Sequence, residues 1–137
     1  MLDLVEYVPV RNLSSVSIIE PSCGEGDFLV EIVHRLKQSS EIHGFNFNLA
    51  YNQCVHAFDI DARKIERSIA KIALQFPQLT NPDGNILQED YLLNTHQRVD
   101  IIVGNPPYIR YEEILVVGRH LVSHLAIFTL VSFAIDS

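Results

Sequence analysis

The stretch VSIIEPSCGEGDFL, residues 16–29, decides the fold that the sequence predicts. Its β-branched start is typical of a buried strand, and the next residues include Gly24 and Gly26, which allow a tight turn. From Asp27 to Gln38 apolar residues recur at helical spacing, which predicts a helix with Asp27 as its cap. A strand, a glycine turn and a helix form the unit from which doubly wound sheets are built.

The same alternation continues along the chain. Further strands are predicted at residues 54–58, 85–87 and 99–103, an amphipathic helix at 62–76, and a connecting loop at 39–53. This order predicts an α/β fold, namely the N-terminal half of a doubly wound, Rossmann-like sheet with parallel strands. Ligands of such sheets bind beyond the carboxyl ends of the strands, and four polar motifs lie at those ends.

Composition limits the class of protein. The 137 residues carry 47% hydrophobic residues and a net charge of −7, which is typical of one globular domain without a basic face for DNA. Residues 1–6 contain two acids and no basic residue, so they are not a secretory signal. The apolar run at 121–135 is shorter than the roughly 18 residues of a membrane span. Cys23 and Cys54 form no metal-binding pair, so we expect a cytoplasmic protein with no membrane contact and no metal site.

The first motif combines an acid with the glycine turn. Glu20 precedes Gly24 and Gly26, and a carboxylate at this position fits poorly beside a pyrophosphate. It fits well beside the cationic sulfonium and amino groups of S-adenosylmethionine. Taken alone, the motif is also compatible with a tight turn that binds no ligand.

The second and third motifs follow the next two predicted strands. Asp59 is placed to accept hydrogen bonds from both ribose hydroxyls of an adenosyl group, whereas Asp61 is expected to cap the following helix. Asp90 is placed to accept a hydrogen bond from the adenine amino group, and Tyr91 to pack on its ring. The third motif gains its meaning from its order after the first two.

The fourth motif is Gly104-Asn-Pro-Pro-Tyr108. Pro106 and Pro107 fix the backbone and remove two N–H groups, which leaves the Asn105 side-chain oxygen and the Pro106 carbonyl as rigid acceptors. Two such acceptors can bind the two hydrogens of an exocyclic amino group, while Tyr108 offers a flat face to a base taken out of the helix. A rigid turn without function is the alternative, which the three preceding motifs disfavour.

The runs at 19–29, 58–61, 88–91 and 104–111 together resemble the adenine-specific DNA methyltransferases of restriction-modification systems. The resemblance implies direct methyl transfer from S-adenosylmethionine to the exocyclic amino group of adenine in DNA, without a covalent intermediate, so that Cys23 is not expected to be a nucleophile. It also implies a cofactor site and a base site. The cofactor residues would be Glu20, Pro21, Cys23, Gly24, Gly26, Asp59, Ile60, Asp90 and Tyr91. The residues at the target base would be Asn105, Pro106, Pro107 and Tyr108, of which Asn105, Pro106 and Tyr108 would be catalytic.

The sequence departs from that family at both ends. It contains no upstream Thr-Pro segment, the likeness fades after Tyr111, and neither the second half of the sheet nor a target-recognition domain follows. We therefore expect one partial catalytic domain over 1–137, from a longer or truncated enzyme, that binds DNA weakly alone and tends to self-associate through an exposed sheet edge.

Three other functions stay open. An inactive remnant, or a cofactor-binding part of a split protein, would carry the same motifs. A protein-glutamine methyltransferase also uses Asn-Pro-Pro-Tyr, although such enzymes resemble Asp-x-Gly-x-Gly where this chain has Glu20-Pro-Ser-Cys-Gly24. An RNA-adenine methyltransferase is the weakest of the three.

Overall fold

The computed structural model describes residues 2–91 and 99–104, in which four short strands form one parallel sheet. The strands are β1 (Ile18–Glu20), β2 (Val55–Asp59), β3 (Ile86–Gln88) and β4 (Ile101–Ile102). They pair in the order β3-β2-β1-β4, with Ile18 opposite both Val55 and Ile101. The predicted α/β class with parallel strands is confirmed.

The strand order creates a switch point beside β1. The chain runs outward from β1 through β2 to β3 and then returns to the other side of β1 as β4. Connections diverge at such a point, and the crevice between them is where open α/β sheets bind ligands. β4 is an edge strand of the described sheet, and self-association through that edge stays a prediction.

Three helices accompany the sheet: α1 (Asp27–His43), α2 (Phe47–Cys54) and α3 (Ala62–Gln75). Each turns an apolar face inward because its hydrophobic residues recur every three or four positions. None of the helices in the described part of the chain is long and apolar enough to cross a membrane. The fully buried core side chains include Ile18 and Ile102 of the sheet, Leu29, Val33 and Leu36 of α1, and Ile72 of α3.

The loop predicted over residues 39–53 is wrong, because α1 continues through the serines and α2 fills most of the remainder. Ser39 is fully buried, and its hydroxyl donates to the Arg11 carbonyl at 2.6 Å and accepts from the Leu13 N–H at 3.1 Å. Helix α1 ends at Gly44, which has a left-handed φ of 76°. Asn46 then caps α2, since its side-chain oxygen accepts from the Leu49 N–H at 3.0 Å.

The two predicted helix caps have different outcomes. Asp61 caps α3 as expected, and its carboxylate accepts from the Arg63 and Lys64 N–H groups. Asp27 does not cap α1, because Gly26 holds the cap position without any side-chain hydrogen bond. Asp27 is instead the first helical residue, where a negative charge is favourable, and pairs with Lys71 of α3.

Candidate functional site

The candidate site lies at the carboxyl edge of the parallel sheet. Glu20 is the last residue of β1, Asp59 is the last residue of β2, and Asp90 follows the end of β3 by two residues. Gly104 follows the end of β4 by the same number. Asn105, Pro106, Pro107 and Tyr108 lie outside the described residues, so the predicted catalytic loop stays a prediction.

Asp59 joins the end of β2 to the glycine turn. Its Oδ2 accepts from the Gly24 N–H at 2.9 Å, and its Oδ1 accepts from the Asp61 N–H at 2.9 Å. The Cys23 N–H donates to the Phe58 carbonyl at 2.8 Å and so continues the contact between β1 and β2 into the turn. Since each carboxylate oxygen has two lone pairs, one on each remains to accept from a ligand. The sequence predicted the ligand role of Asp59 and missed its structural role.

Glu20 is a buried carboxyl group at the centre of the site. Its side chain is 3% exposed, and Oε2 has no hydrogen-bond partner in the described part of the chain. Burial and, secondarily, the nearby Asp59 carboxylate raise the pKa of Glu20 well above its usual range. A buried polar atom without a partner is costly, and two clustered acids favour a cation. The environment of Glu20 therefore suits a positively charged ligand group.

The two glycines of the turn are required for different reasons. Gly24 has a left-handed φ of 57°, and a Cβ built there would meet no atom within 4 Å. Gly26 has φ 90°, and a Cβ there would come within 2.9 Å of Ser68 Oγ and 3.0 Å of Ser68 Cα. Gly24 thus borders open space that a ligand can approach, whereas Gly26 allows α1 to begin directly against α3.

Ser68 of α3 is a residue of the site that the sequence analysis missed. It is fully buried, its hydroxyl donates to the Gly24 carbonyl at 2.7 Å, and its Oγ lies 3.8 Å from Cys23 Sγ. The available signal was a small polar residue on the apolar face of α3, between the buried Ile65 and Ile72.

Cys23 packs behind the turn. It is 5% exposed, and burial first, then the nearby Glu20, raise the pKa of its thiol to about 12. A thiol in that state is a poor nucleophile at neutral pH. This agrees with the expectation that Cys23 takes no covalent part in the chemistry.

The residues expected at the cofactor adenine lie beyond β2 and β3. Ile60 is 69% exposed, and its carbonyl accepts from Gln88 Nε2 at 3.2 Å. Asp90 is half-buried. Tyr91 is buried, with its ring centroid 5.3 Å from that of Phe58, so its ring packs on protein here. Ile60 and Asp90 are the members of this group with accessible surface.

Two ion pairs also join α3 to the glycine turn. Arg67 pairs with Glu25, and Lys71 Nζ lies 2.5 Å from Asp27 Oδ1. Both pairs are at the surface, where such contacts add little stability but restrict approach to the turn from outside. Within residues 2–91 and 99–104, no three His, Cys, Asp or Glu side chains are grouped to hold a metal ion.

Comparison with known proteins identifies relatives, although no family model matches the chain. The Type II methyltransferase M.XhoI of Xanthomonas vasicola is 30% identical over 82% of the chain. The Type II methyltransferase M.BstVI of Geobacillus stearothermophilus is 32% identical over the same share. The release factor glutamine methyltransferase of Flavobacterium psychrophilum is 25% identical over 92% of the chain.

The matches cover much of this chain and little of the Type II relatives. The chain spans 23% of the length of M.XhoI and of M.BstVI, and 41% of the length of the glutamine methyltransferase. A modification methylase of a Chlorella virus and two further Type II methyltransferases match in the same way. By sequence, the chain is thus a relative of the Type II methyltransferases and corresponds to a segment of less than a quarter of their length.

Proposed function

We propose that the chain is the cofactor-binding part, with the catalytic loop, of a cytoplasmic DNA methyltransferase that methylates the exocyclic amino group of adenine. The carrying observation is the buried carboxyl of Glu20, whose Oε2 lacks a hydrogen-bond partner among the described residues, beside Asp59 and the open space at Gly24. These groups fit S-adenosylmethionine, which would supply an electrophilic methyl group on a cationic sulfonium. The fit depends on charge and on space.

The residues of the turn divide the work of holding such a cofactor. Glu20 and Asp59 supply negative charge toward its methionine end, and the free lone pairs of Asp59 accept from the ribose hydroxyls. Gly24 lets the ligand approach the backbone, since no Cβ stands in its way. Pro21 and Cys23 are buried and keep the turn in shape.

The remaining roles follow the order of the motifs. We assign the cofactor adenine to Ile60, Asp90 and Tyr91, which follow β2 and β3. The run that begins at Gly104 brings the catalytic loop to the same edge of the sheet. In the loop, Asn105 and Pro106 would hold the amino hydrogens, with Pro107 for rigidity and Tyr108 against the target base. Such chemistry depends on positioning more than on a strong base.

Two measurements test this proposal. Calorimetric titration with S-adenosylmethionine should give binding to the wild-type chain and to Asn105→Ala alike. In a transfer assay on unmethylated duplex DNA, the wild type should label adenine, and Asn105→Ala should lose the label. If the chain does not bind the cofactor, the proposed site is wrong. Cofactor binding without transfer would instead support a remnant or a part of a split protein.

A protein-glutamine methyltransferase is the second candidate, because the Flavobacterium relative matches 92% of the chain. The turn sequence Glu20-Pro-Ser-Cys-Gly24 and the higher identity of the Type II relatives favour DNA. The two candidates separate in one assay that offers duplex DNA and a glutamine-containing peptide together. Label on the peptide alone would replace adenine by glutamine as the proposed target.

A further inference from the structure

Helix α3 reaches the glycine turn through one buried hydroxyl group. Ser68 is fully buried, and its Oγ donates to the Gly24 carbonyl at 2.7 Å. A serine hydroxyl has a single hydrogen to donate, so this bond uses its whole donor capacity. The contact crosses 44 positions of the sequence and therefore reports a tertiary arrangement.

We propose that Ser68 is a positioning residue of the cofactor site, which fixes the Gly24 peptide so that its open side faces the ligand. This inference rests on the proposed binding of S-adenosylmethionine. Ser68 itself touches the turn and acts through Gly24. Its role is distinct from that of Glu20 and Asp59, which bring charge.

The geometry of Gly24 explains why the turn needs this support. Glycine adopts its left-handed φ of 57° without strain, but it also leaves that conformation easily. The backbone is held from two directions: β2 accepts the Gly24 N–H on Asp59, and α3 donates to the Gly24 carbonyl from Ser68. Removing either contact frees one end of this residue.

Other contacts of α3 do not replace the hydroxyl. The Cys23 thiol lies 3.8 Å from the Gly24 carbonyl, and a thiol is a weak donor. The pairs Arg67–Glu25 and Lys71–Asp27 hold exposed side chains, with Glu25 49% and Asp27 88% exposed. Exposed pairs restrain the backbone poorly because both side chains can rearrange.

Ser39 offers a matched control for the test. Like Ser68 it is a fully buried helical serine with hydrogen bonds to distant backbone groups, here Arg11 and Leu13, but it makes none of the contacts of the turn. Ser68→Ala and Ser39→Ala therefore delete equivalent groups at two places. Ser68→Cys keeps the volume and a weak donor, and is expected to lie between Ser68→Ala and the wild type.

The test combines calorimetric titration with S-adenosylmethionine and amide hydrogen exchange on the whole chain. Ser68→Ala should weaken cofactor binding about tenfold, the effect of losing one hydrogen bond. It should also accelerate exchange at Cys23, Gly24 and Gly26, whose N–H groups are all hydrogen-bonded in the turn. Ser39→Ala should lower the melting temperature while leaving both readouts as in the wild type.

Each outcome decides a separate point. Wild-type affinity and wild-type exchange in Ser68→Ala would overturn the inference. If Ser68→Ala does not fold, the same two measurements on Ser68→Cys decide it. A wild-type chain that does not bind the cofactor contradicts the proposed function, and the exchange rates alone then show whether Ser68 holds the turn.

Discussion

At the scale of single residues, Asp59 combines two tasks in one carboxylate. Both oxygens accept backbone N–H groups, from Gly24 and from Asp61, in a side chain that is only 7% exposed. Asp59→Asn turns one acceptor into an NH₂ group that faces an N–H. We expect a loss of about 1–3 kcal/mol in the free energy of unfolding, measured by urea denaturation, because a buried donor loses its partner. Affinity for S-adenosylmethionine should fall as well.

Asp61→Asn is the control for this change. Asp61 caps α3 through Oδ1 alone, and asparagine is an equally good cap. The same substitution two positions away should therefore leave stability nearly unchanged. Equal losses at the two positions would contradict the structural role of Asp59.

Glu20 gives a prediction about pH. Burial and Asp59 raise the pKa of Glu20 well above its ordinary value of 4.5, so the folded chain keeps this proton where the unfolded chain has lost it. The stabilisation is complete below about pH 4.5 and declines as pH rises toward the folded-state pKa. Glu20→Gln should remove this decline and be more stable than the wild type at neutral pH.

Urea denaturation between pH 4 and pH 8 measures the Glu20 effect as the difference between the two chains. The difference should grow with pH in favour of Glu20→Gln. A difference that is constant over this range would show that Glu20 titrates normally. Glu20→Gln should also weaken S-adenosylmethionine binding, since it removes a negative charge from the side of the cation.

At the scale of elements, the start of α1 depends on close contact with α3. A Cβ at Gly26 would meet Ser68 at 2.9–3.1 Å, at a φ of 90° that side chains rarely adopt. Gly26→Ala should therefore cost about 2–5 kcal/mol, the sum of left-handed strain and overpacking. Gly44, at the other end of α1, has φ 76° and no atom within 4 Å of its Cβ position. Gly44→Ala should cost only about 1–2 kcal/mol of strain.

Thermal or urea denaturation of these two variants separates the contribution of packing from that of backbone strain. Equal destabilisation would mean that α3 withdraws from an alanine at position 26 at no cost. A larger effect at Gly44 than at Gly26 would contradict the described contact with Ser68.

The sequence predicted those elements whose patterns are local. Residues 16–29 contain their own strand, turn and helix start, and the apolar face of α3 with its Asp61 cap is complete within one segment. The prediction failed over residues 39–53, where serine and asparagine were taken as loop formers. Ser39 tolerates the helix because Arg11 and Leu13 satisfy its hydroxyl, and Asn46 begins a helix as its cap.

The candidate site shows the same limit. The acids Glu20 and Asp59 were predicted because parallel strands bring their ends together. Ser68 was missed, since its bond to Gly24 spans 44 positions and depends on how α3 packs against the turn. The cap assigned to Asp27 was wrong for a related reason: the close approach of α3 requires glycine at the cap position, and Lys71 holds the Asp27 carboxylate.

At the scale of the whole molecule, the basic residues of the described part are largely engaged by acids. The net charge of the chain is −7. Arg35 pairs with Asp3 and Glu31, and Arg67 and Lys71 pair with acids of the turn. The basic face of α3 thus neutralises the chain's own carboxylates, which leaves little positive charge for phosphate contacts.

This charge distribution predicts weak binding of the chain to duplex DNA. Phosphate neutralisation supplies nearly all of non-specific affinity, with dissociation constants of roughly 10⁻⁴–10⁻⁶ M for proteins that have basic surfaces. We expect the 137-residue chain to fall at or beyond the weak end of that range, as measured by fluorescence anisotropy with a labelled duplex at 50 and 200 mM salt. Arg63→Ala, which removes an exposed cation of α3 that makes no described ion pair, should change the signal little. Tight binding that persists at 200 mM salt would mean that residues outside the described ranges carry a DNA-binding surface, since the described part has too little uncompensated positive charge to supply one.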